Sequence, residues 1–505
     1  MAGGHYEKDM YRQLQETMLK LDRLENQRKE DIQQIKWDNA KKIDEIKRDY
    51  EEKIDGLNQI IKQQAEEINV LKQENVLLRE DNERLKSILR NDSSNSSQPP
   101  STDQKGKRIN QYNSRETSKR AKGAQPGHTG KTLTKEIVVK RIETGVYKHE
   151  VVEHGVTNGK SIVKYVVDLR IIPLITEHRF YADETGNYNI PKELHSDVTY
   201  GNMVRALAVQ LYGVGVVSNE RIRELINSIS GDTLALSAGG VYKMIRRFSK
   251  SIANEIEHTK QKLLSEKAVY TDGTNITVNG KQAYIRNIST ANSVYYAHLE
   301  KKNLESMRKL PVLPTYTGTL IHDHETALYH FGIEHGECNV HLLRHLVKNT
   351  EDTGHLWSDK MRQFLCQANQ ERKYRIENKN IFTDQELAFY ADEFDRLITS
   401  GSVENESCNP KWAKKKERSL LRRLAKYKLN HLLFLHDFTI SFDNNLSERD
   451  LRKCKTRQKM AGGFRVKEGA EMYCNILSFI ETCKRCSRSA FSSILSVLRG
   501  EPVLC

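Results

Sequence analysis

Three carboxylates in this sequence stand where folding could bring them together for chemistry. Asp272 follows the apolar run Ala268-Val269-Tyr270, and Asp323 follows Thr319-Leu320-Ile321. Each reads as the end of a strand, and carboxylates at strand ends of one sheet converge on its carboxyl edge, where open α/β sheets bind ligands. Glu448 lies far downstream on a polar, basic helix over 444–460 that Gly462-Gly463 would end. Hard divalent cations take oxygen ligands, and three carboxylates can hold two such ions about 3.5–4 Å apart, one activating an attacking oxygen and the other stabilising a leaving one. The same residues have plainer readings. Aspartates after strands cap turns, and Glu448 has Arg452 four residues on, the spacing of a surface ion pair.

Several kinds of element must position these groups. Residues 267–340 read as α/β, with strand-like runs at 268–270, 275–278, 283–287, 293–299 and 317–321 and a turn at Asn279-Gly280. Residues 341–435 are mainly helical and strongly charged. Upstream, helical spacing puts Val204, Leu207, Ala208 and Leu211 on one face. Ile222, Leu225 and Ile226 mark a second helix, and Ser237 can cap a third with Val241, Ile245 and Phe248 inside. Three short helices with Gly-containing turns suit a helix-turn-helix unit with Tyr242, Lys243, Arg246 and Arg247 outside. An ordinary small helical bundle would look the same. Residues 136–181 alternate apolar and polar residues in short runs, such as Ile137-Val138-Val139, and read as a small β unit.

Residues 5–90 are helical in pattern. From Ile54 a heptad is regular, with Ile54, Ile61, Ile68, Asn75, Asn82 and Leu89 at a, and Leu57, Gln64, Leu71, Leu78 and Leu85 at d. So narrow a seam suits a partner helix, and Asn at a pairs best in an in-register parallel dimer; packing on the chain itself is the alternative. A polar, Pro-containing linker at 91–104 and a basic stretch at 105–131 follow, the latter either tracking phosphates or simply solvated. The net charge is +14 and the pI about 9.1, which favours a polyanionic partner. The chain has eight cysteines, none before Cys338, so no disulfide framework spans it and a reducing setting is expected. The N-terminus lacks an apolar signal core and no run is long enough to span a bilayer. A cytoplasmic protein without membrane contact is expected.

The blocks around the carboxylates carry a resemblance. VYTDGTNITVNGKQAYIRNISTANSVYYAHLEKK resembles the first catalytic block of the insertion sequence sixty-six family of bacterial transposases, and GTLIHDHETALYHFG its second. GECNVHLLRHL resembles the family's Cys-Asn-x-His-x-x-Arg-x-Leu element, and FDNNLSERDLRKCKTRQKMAGGFRVKEGAEMY its third block. GAQPGHTGKTL, at 123–133, resembles a Gly-Gly-Gln-Pro-Gly-His element with Ala124 in place of a glycine. The N-terminal zipper also matches, and the order holds along nearly the whole chain.

The resemblance implies that Asp272, Asp323 and Glu448 form an aspartate–aspartate–glutamate triad, catalytic and metal-binding, that would take two Mg2+ or Mn2+ ions per site. It implies a multidomain protein: a coiled-coil dimerisation region at 1–91 (Ile61, Ile68, Leu71, Asn75, Leu78, Asn82, Leu85) and a basic linker at 92–135. A degenerate zinc-ribbon-like β unit at 136–199 and a helical DNA-binding region at 200–260 would follow. Then come a ribonuclease-H-like α/β domain at 261–480, with an all-helical insertion at about 346–438, and a C-terminal element at 481–505. The activity implied is binding of terminal inverted repeats, cleavage and strand transfer, on bacterial nucleoid DNA; accessory proteins of the element are possible partners. A catalytically inactive DNA-binding descendant is the alternative. Arg449, Arg452, Lys453, Lys455, Arg457, Lys459 and Arg465, with Lys243, Arg246 and Arg247, are candidates for DNA contacts. His322, His324, Cys338, His341 and Arg344 are supporting candidates, by packing, by ligand orientation or by touching DNA. One departure stands out: the family's first Cys-x-x-Cys-Gly should fall at Ala182–Gly186, where both cysteines are missing, so a structural zinc is not expected there. Cys483-x-x-Cys486 is half a zinc motif without a second pair nearby and reads as structural or incidental.

Overall fold

A computed structural model describes residues 4–92, 94–96, 133–154 and 162–503. The basic stretch at 105–131 and the GAQPGH element at 123–128 lie outside the described residues. The chain divides into two units, residues 1–90 and 91–505.

The first unit is one helix, α1 (Gly4–Leu89), of 86 residues and about 130 Å at 1.5 Å per residue. Its long rows of Glu, Lys, Gln and Arg favour helix. Its apolar stripe stays open: Ile61 is 62% and Leu78 63% exposed.

The second unit begins with a correction. Ile137-Val138-Val139 is not a strand but part of α2 (Lys135–Glu143). Thr134 accepts a hydrogen bond from the Ile137 N–H, Glu136 opens the helix and Arg141 closes it, so capping and charge placement outweigh the β preference of three branched residues. From 144 to 200 the described residues contain no strand. Val166, Leu174 and Ile175 there are almost fully exposed, so alternation had no neighbouring strand to pair with.

Helices α3 (Asn202–Gly213), α4 (Asn219–Ile229), α5 (Ala238–Ser251) and α6 (Ala253–Ser265) come next. Ser218 and Ser237 cap α4 and α5 through their hydroxyls. Val241, Ile245 and Phe248 are buried as expected, whereas Leu225 is exposed. These helices share one hydrophobic core with the sheet that follows and are not a separate module.

The sheet contains β1 (Ala268–Val278), β2 (Lys281–Ser289), β3 (Val294–Leu299), β4 (Thr319–His322) and β5 (Glu334–Glu337), with a one-turn helix α7 (Leu304–Met307) before β4. Its order is β3-β2-β1-β4-β5. The first three strands form an antiparallel meander, and β4 and β5 run parallel to β1. Five helices come next: α8 (Asn339–Thr353), α9 (Leu356–Glu377), α10 (Asp384–Glu406), α11 (Lys411–Lys426) and α12 (Lys428–His436). They build a second core around Trp357, Phe394 and Leu424. Inside it, buried Glu417 accepts hydrogen bonds from Asn349, His355, Trp357 and Asn405, joining four helices. The chain then returns to the sheet through α13 (Asn445–Ala461), α14 (Lys467–Arg485) and α15 (Ala490–Leu498).

Candidate active site

Asp272 is not at a strand end, as its sequence suggested. It lies in the middle of β1, which runs on to Val278. What ends near it is the parallel pairing: β1 meets β4 only from Ala268↔Thr319 to Tyr270↔Ile321. Asp272 therefore sits where β1 and β4 part, and Asp323 is the first residue beyond β4. Cys338 holds the equivalent place after β5, its N–H donating to the His322 carbonyl at 2.9 Å. It leads into α8, which carries His341 and Arg344.

Glu448 arrives from α13, in the helix's first turn. A polar layer seats that helix. Asn444 donates to the Thr271 carbonyl at 2.9 Å. Ser447 donates to Asn287 at 2.6 Å, and the same Asn287 oxygen accepts the Asp272 N–H at 3.1 Å. One amide on β2 thus fixes both the strand bearing Asp272 and the helix bearing Glu448. At the far end of α13, Phe464 exchanges backbone bonds with Thr277 and Asn279. A side chain on Gly463 would come within 2.6 Å of the Thr277 carbonyl, so only glycine allows this approach.

The oxygens and nitrogens converge. His341 Nδ1 lies 3.1 Å from Asp323 Oδ1 and 3.7 Å from Glu448 Oε1. Ligand atoms of Asp323, Cys338, His341 and Glu448 all lie within 4.8 Å of one another. The ion pair expected between Glu448 and Arg452 is not formed: Arg452 points to solvent while Glu448 turns inward. Burial, reinforced by the charge of Asp323, pushes the Asp272 carboxyl up to about 6. Burial and Asp323 likewise raise Glu448, opposed by His341 and Arg344. Burial also works to raise Asp323, but its bond to His341 and the charges around it hold it low. Asp272 and Glu448 are thus short of positive charge, whereas Asp323 is compensated by His341.

The donor set fits a hard cation. Asp323 Oδ1 and Glu448 Oε1 are buried and lack a well-directed hydrogen bond. Cys338 does not compete as a thiolate: burial raises its pKa, and its sulfur accepts the Asn444 N–H at 3.3 Å. The oxygens of Asp323 and Glu448 remain as the hard donors of this group; Asp272 is not one of its four members, although its carboxyl feels the charges of both.

His322 and His324 turn away from the carboxylates. His322 Nε2 meets His335 Nδ1 at 3.1 Å, and His324 Nδ1 meets Glu337 at 2.9 Å. Of their three readings, packing is the one the geometry favours. Glu337 also binds Tyr329 and, at 2.6 Å, Arg423. Arg449, Arg452, Lys455, Lys459, Arg465, Lys243 and Arg247 are exposed. Arg246 is paired with Glu468 at 2.7 Å, and Lys453 with Glu481. Arg457 is a correction: it is 7% exposed, lies 4.5 Å from the Tyr212 ring centre, and donates to the Val217 carbonyl. It is a core residue and does not face phosphates.

Arg286 and Asn287 were missed. Arg286 is 1% exposed and bonds Thr271 and Glu325, at 3.2 and 2.6 Å, beside Asp272. A Cβ on Gly273 would lie 3.3 Å from its guanidinium. The available signal was a charged and an amide residue side by side within the apolar strand Tyr284–Ile288.

The site thus stands on a mixed five-stranded sheet and is closed by a helix that arrives from beyond a helical insertion. The particular family follows from comparison: the family model described as Transposase IS66 family matches residues 200–472, more than half the chain, and the protein belongs to that family. A family of unknown function, DUF6444, matches residues 31–134. No curated protein matches the chain.

Proposed function

We propose that this transposase cuts and joins DNA with Asp272, Asp323 and Glu448, in a domain of ribonuclease-H-like type. The observation that supports this best is the meeting of Asp323 and Glu448 around His341, although a whole helical insertion separates them. The triad would hold two Mg2+ or Mn2+ ions, which when bound supply charge stabilisation to the attacking and leaving oxygens of a phosphodiester. In cleavage a water oxygen bonds to phosphorus and the bond to the 3′ oxygen breaks. The freed 3′-hydroxyl then attacks a target phosphodiester in the same way.

The chain's own groups position and neutralise. His341 bridges Asp323 and Glu448 and keeps their carboxylates turned to one point. Arg286 balances the buried charge behind Asp272. The exposed cations Arg449, Arg452, Lys455, Lys459 and Arg465 hold DNA phosphates beside Glu448, and Lys243 and Arg247 engage the terminal repeats. Helix α1 pairs two chains, so that two DNA ends can be brought together. Among the described residues no helix is long and apolar enough to cross a membrane, in keeping with action on DNA in the cytoplasm.

The test compares wild type with Asp272→Asn on a duplex carrying the element's end, in Mg2+ or Mn2+. Wild type should nick at the end, and the variant should lose at least about a hundredfold in rate. Equal nicking by both would overturn the triad. Binding without nicking by wild type would instead support an inactive descendant.

A further inference from the structure

Helix α11 carries Lys411, Lys414, Lys415, Arg418 and Arg422. At intervals of three and four residues these side chains share one face, and they span about 16 Å. The opposite face packs inward through Ala413, Glu417, Leu421 and Leu424. Four of the five cations are exposed, and Lys414 is half-buried with its ammonium on the Glu406 carbonyl at 2.6 Å. Among the described residues none of the five pairs with a carboxylate. The ion pairs of this helix, Lys416 with Asp352 and Arg423 with Glu337, lie off the stripe. Like charges four residues apart repel on a helix, and three such pairs occur here: 411 with 415, 414 with 418, and 418 with 422. The sole acidic residue of α11 is Glu417, which is buried and committed to the core. This face therefore lacks the interleaved acids that make an ordinary solvated helix comfortable.

The stripe is also fixed relative to the carboxylate centre. Arg423, next in sequence to Arg422, bonds Glu337 at 2.6 Å with both side chains buried or nearly so. Glu337 immediately precedes Cys338, which itself contacts His341 at 3.4 Å. The charge field of α11 thus begins one buried ion pair away from the site and runs outward along the insertion.

We infer that this face of α11 is a phosphate track for duplex DNA, separate from the cations of α13 and α5. Its length matches about half a helical turn of duplex, whose full turn is about 34 Å, and its occupant is the DNA that continues away from the cleavage position. The inference rests on the transposase reading and adds a surface to it.

The test uses the full chain and a duplex carrying the element's end with flanking sequence on both sides. Binding is measured over about 50–200 mM salt for wild type and for Lys411→Gln/Lys415→Gln/Arg418→Gln/Arg422→Gln. Each lost phosphate contact should flatten the slope of log affinity against log salt by about 0.9, so the variant's slope should be shallower by about 3.6. The double variant Arg418→Gln/Arg422→Gln, at two exposed positions, should lose about half of that and guards against misfolding of the quadruple variant. Unchanged slopes in both variants, with wild type binding and nicking normally, would overturn the track and leave the transposase reading intact. Failure of wild type to bind the duplex at all would overturn both.

Discussion

Arg452 and Arg457 share one helix and have opposite fates. Arg452 faces solvent, whereas Arg457 lies against Tyr212, Tyr473 and Phe464. A desolvated guanidinium over aromatic faces contributes about 2 kcal/mol. Arg457→Ala should therefore lower the stability of the second unit by about 2 kcal/mol in denaturant unfolding, while the salt slope of DNA binding stays unchanged. A shallower slope without loss of stability would return Arg457 to the DNA surface. The sequence does not distinguish these two arginines, because burial on a basic helix depends on what crosses it, here α3 from far upstream. The nearness of Asp323 and Glu448 was more legible, since the residue blocks around each are long and distinctive. Their seating was not: Asn287 and Ser447 meet only when β2 and α13, distant in sequence, come together.

Among the elements, β2, β3 and β4 were placed closely, but β5 was given no range and β1 was divided at Asp272, because a polar residue after an apolar run resembles an end. The ladder with β2 continues through it, since one face of that strand is open to the site. Helix α2 was misread because short branched runs suit both structures until caps and neighbours decide. The pairing of β4 with β5 also sets a pH response. Burial, helped by the ring of His322, lowers His335 to about 4 in the folded protein, against an ordinary value of 6.5. Between those values the unfolded chain binds the additional proton, so stability from this residue is complete above about pH 6.5 and is lost as pH falls toward 4. The thermal midpoint should fall over that window, and His335→Asn should reduce the fall. An equally steep fall in the variant would place the sensitive group elsewhere.

At the scale of the molecule, α1 exposes a stripe that one helix cannot bury. Asn75→Lys with Asn82→Lys should weaken self-association, with the mass in solution dropping toward that of one chain; an unchanged mass would count against this seam. The long helix was the clearest element in the sequence, because a heptad repeat is local and needs no knowledge of the rest of the fold. The second unit is the reverse case. Asn202 at the start of α3 bonds the Leu498 carbonyl at the end of α15, and residues from both ends of this span share the sheet's core. During synthesis on a ribosome, then, α1 can be complete long before the proposed cutting centre exists. Glu448 enters the centre only after the helical insertion has been made, and α3 waits for its last partner until residue 498 has emerged. If α1 pairs chains as proposed, a chain interrupted before that point would carry that helix without a finished site, and by joining intact copies it would restrain them.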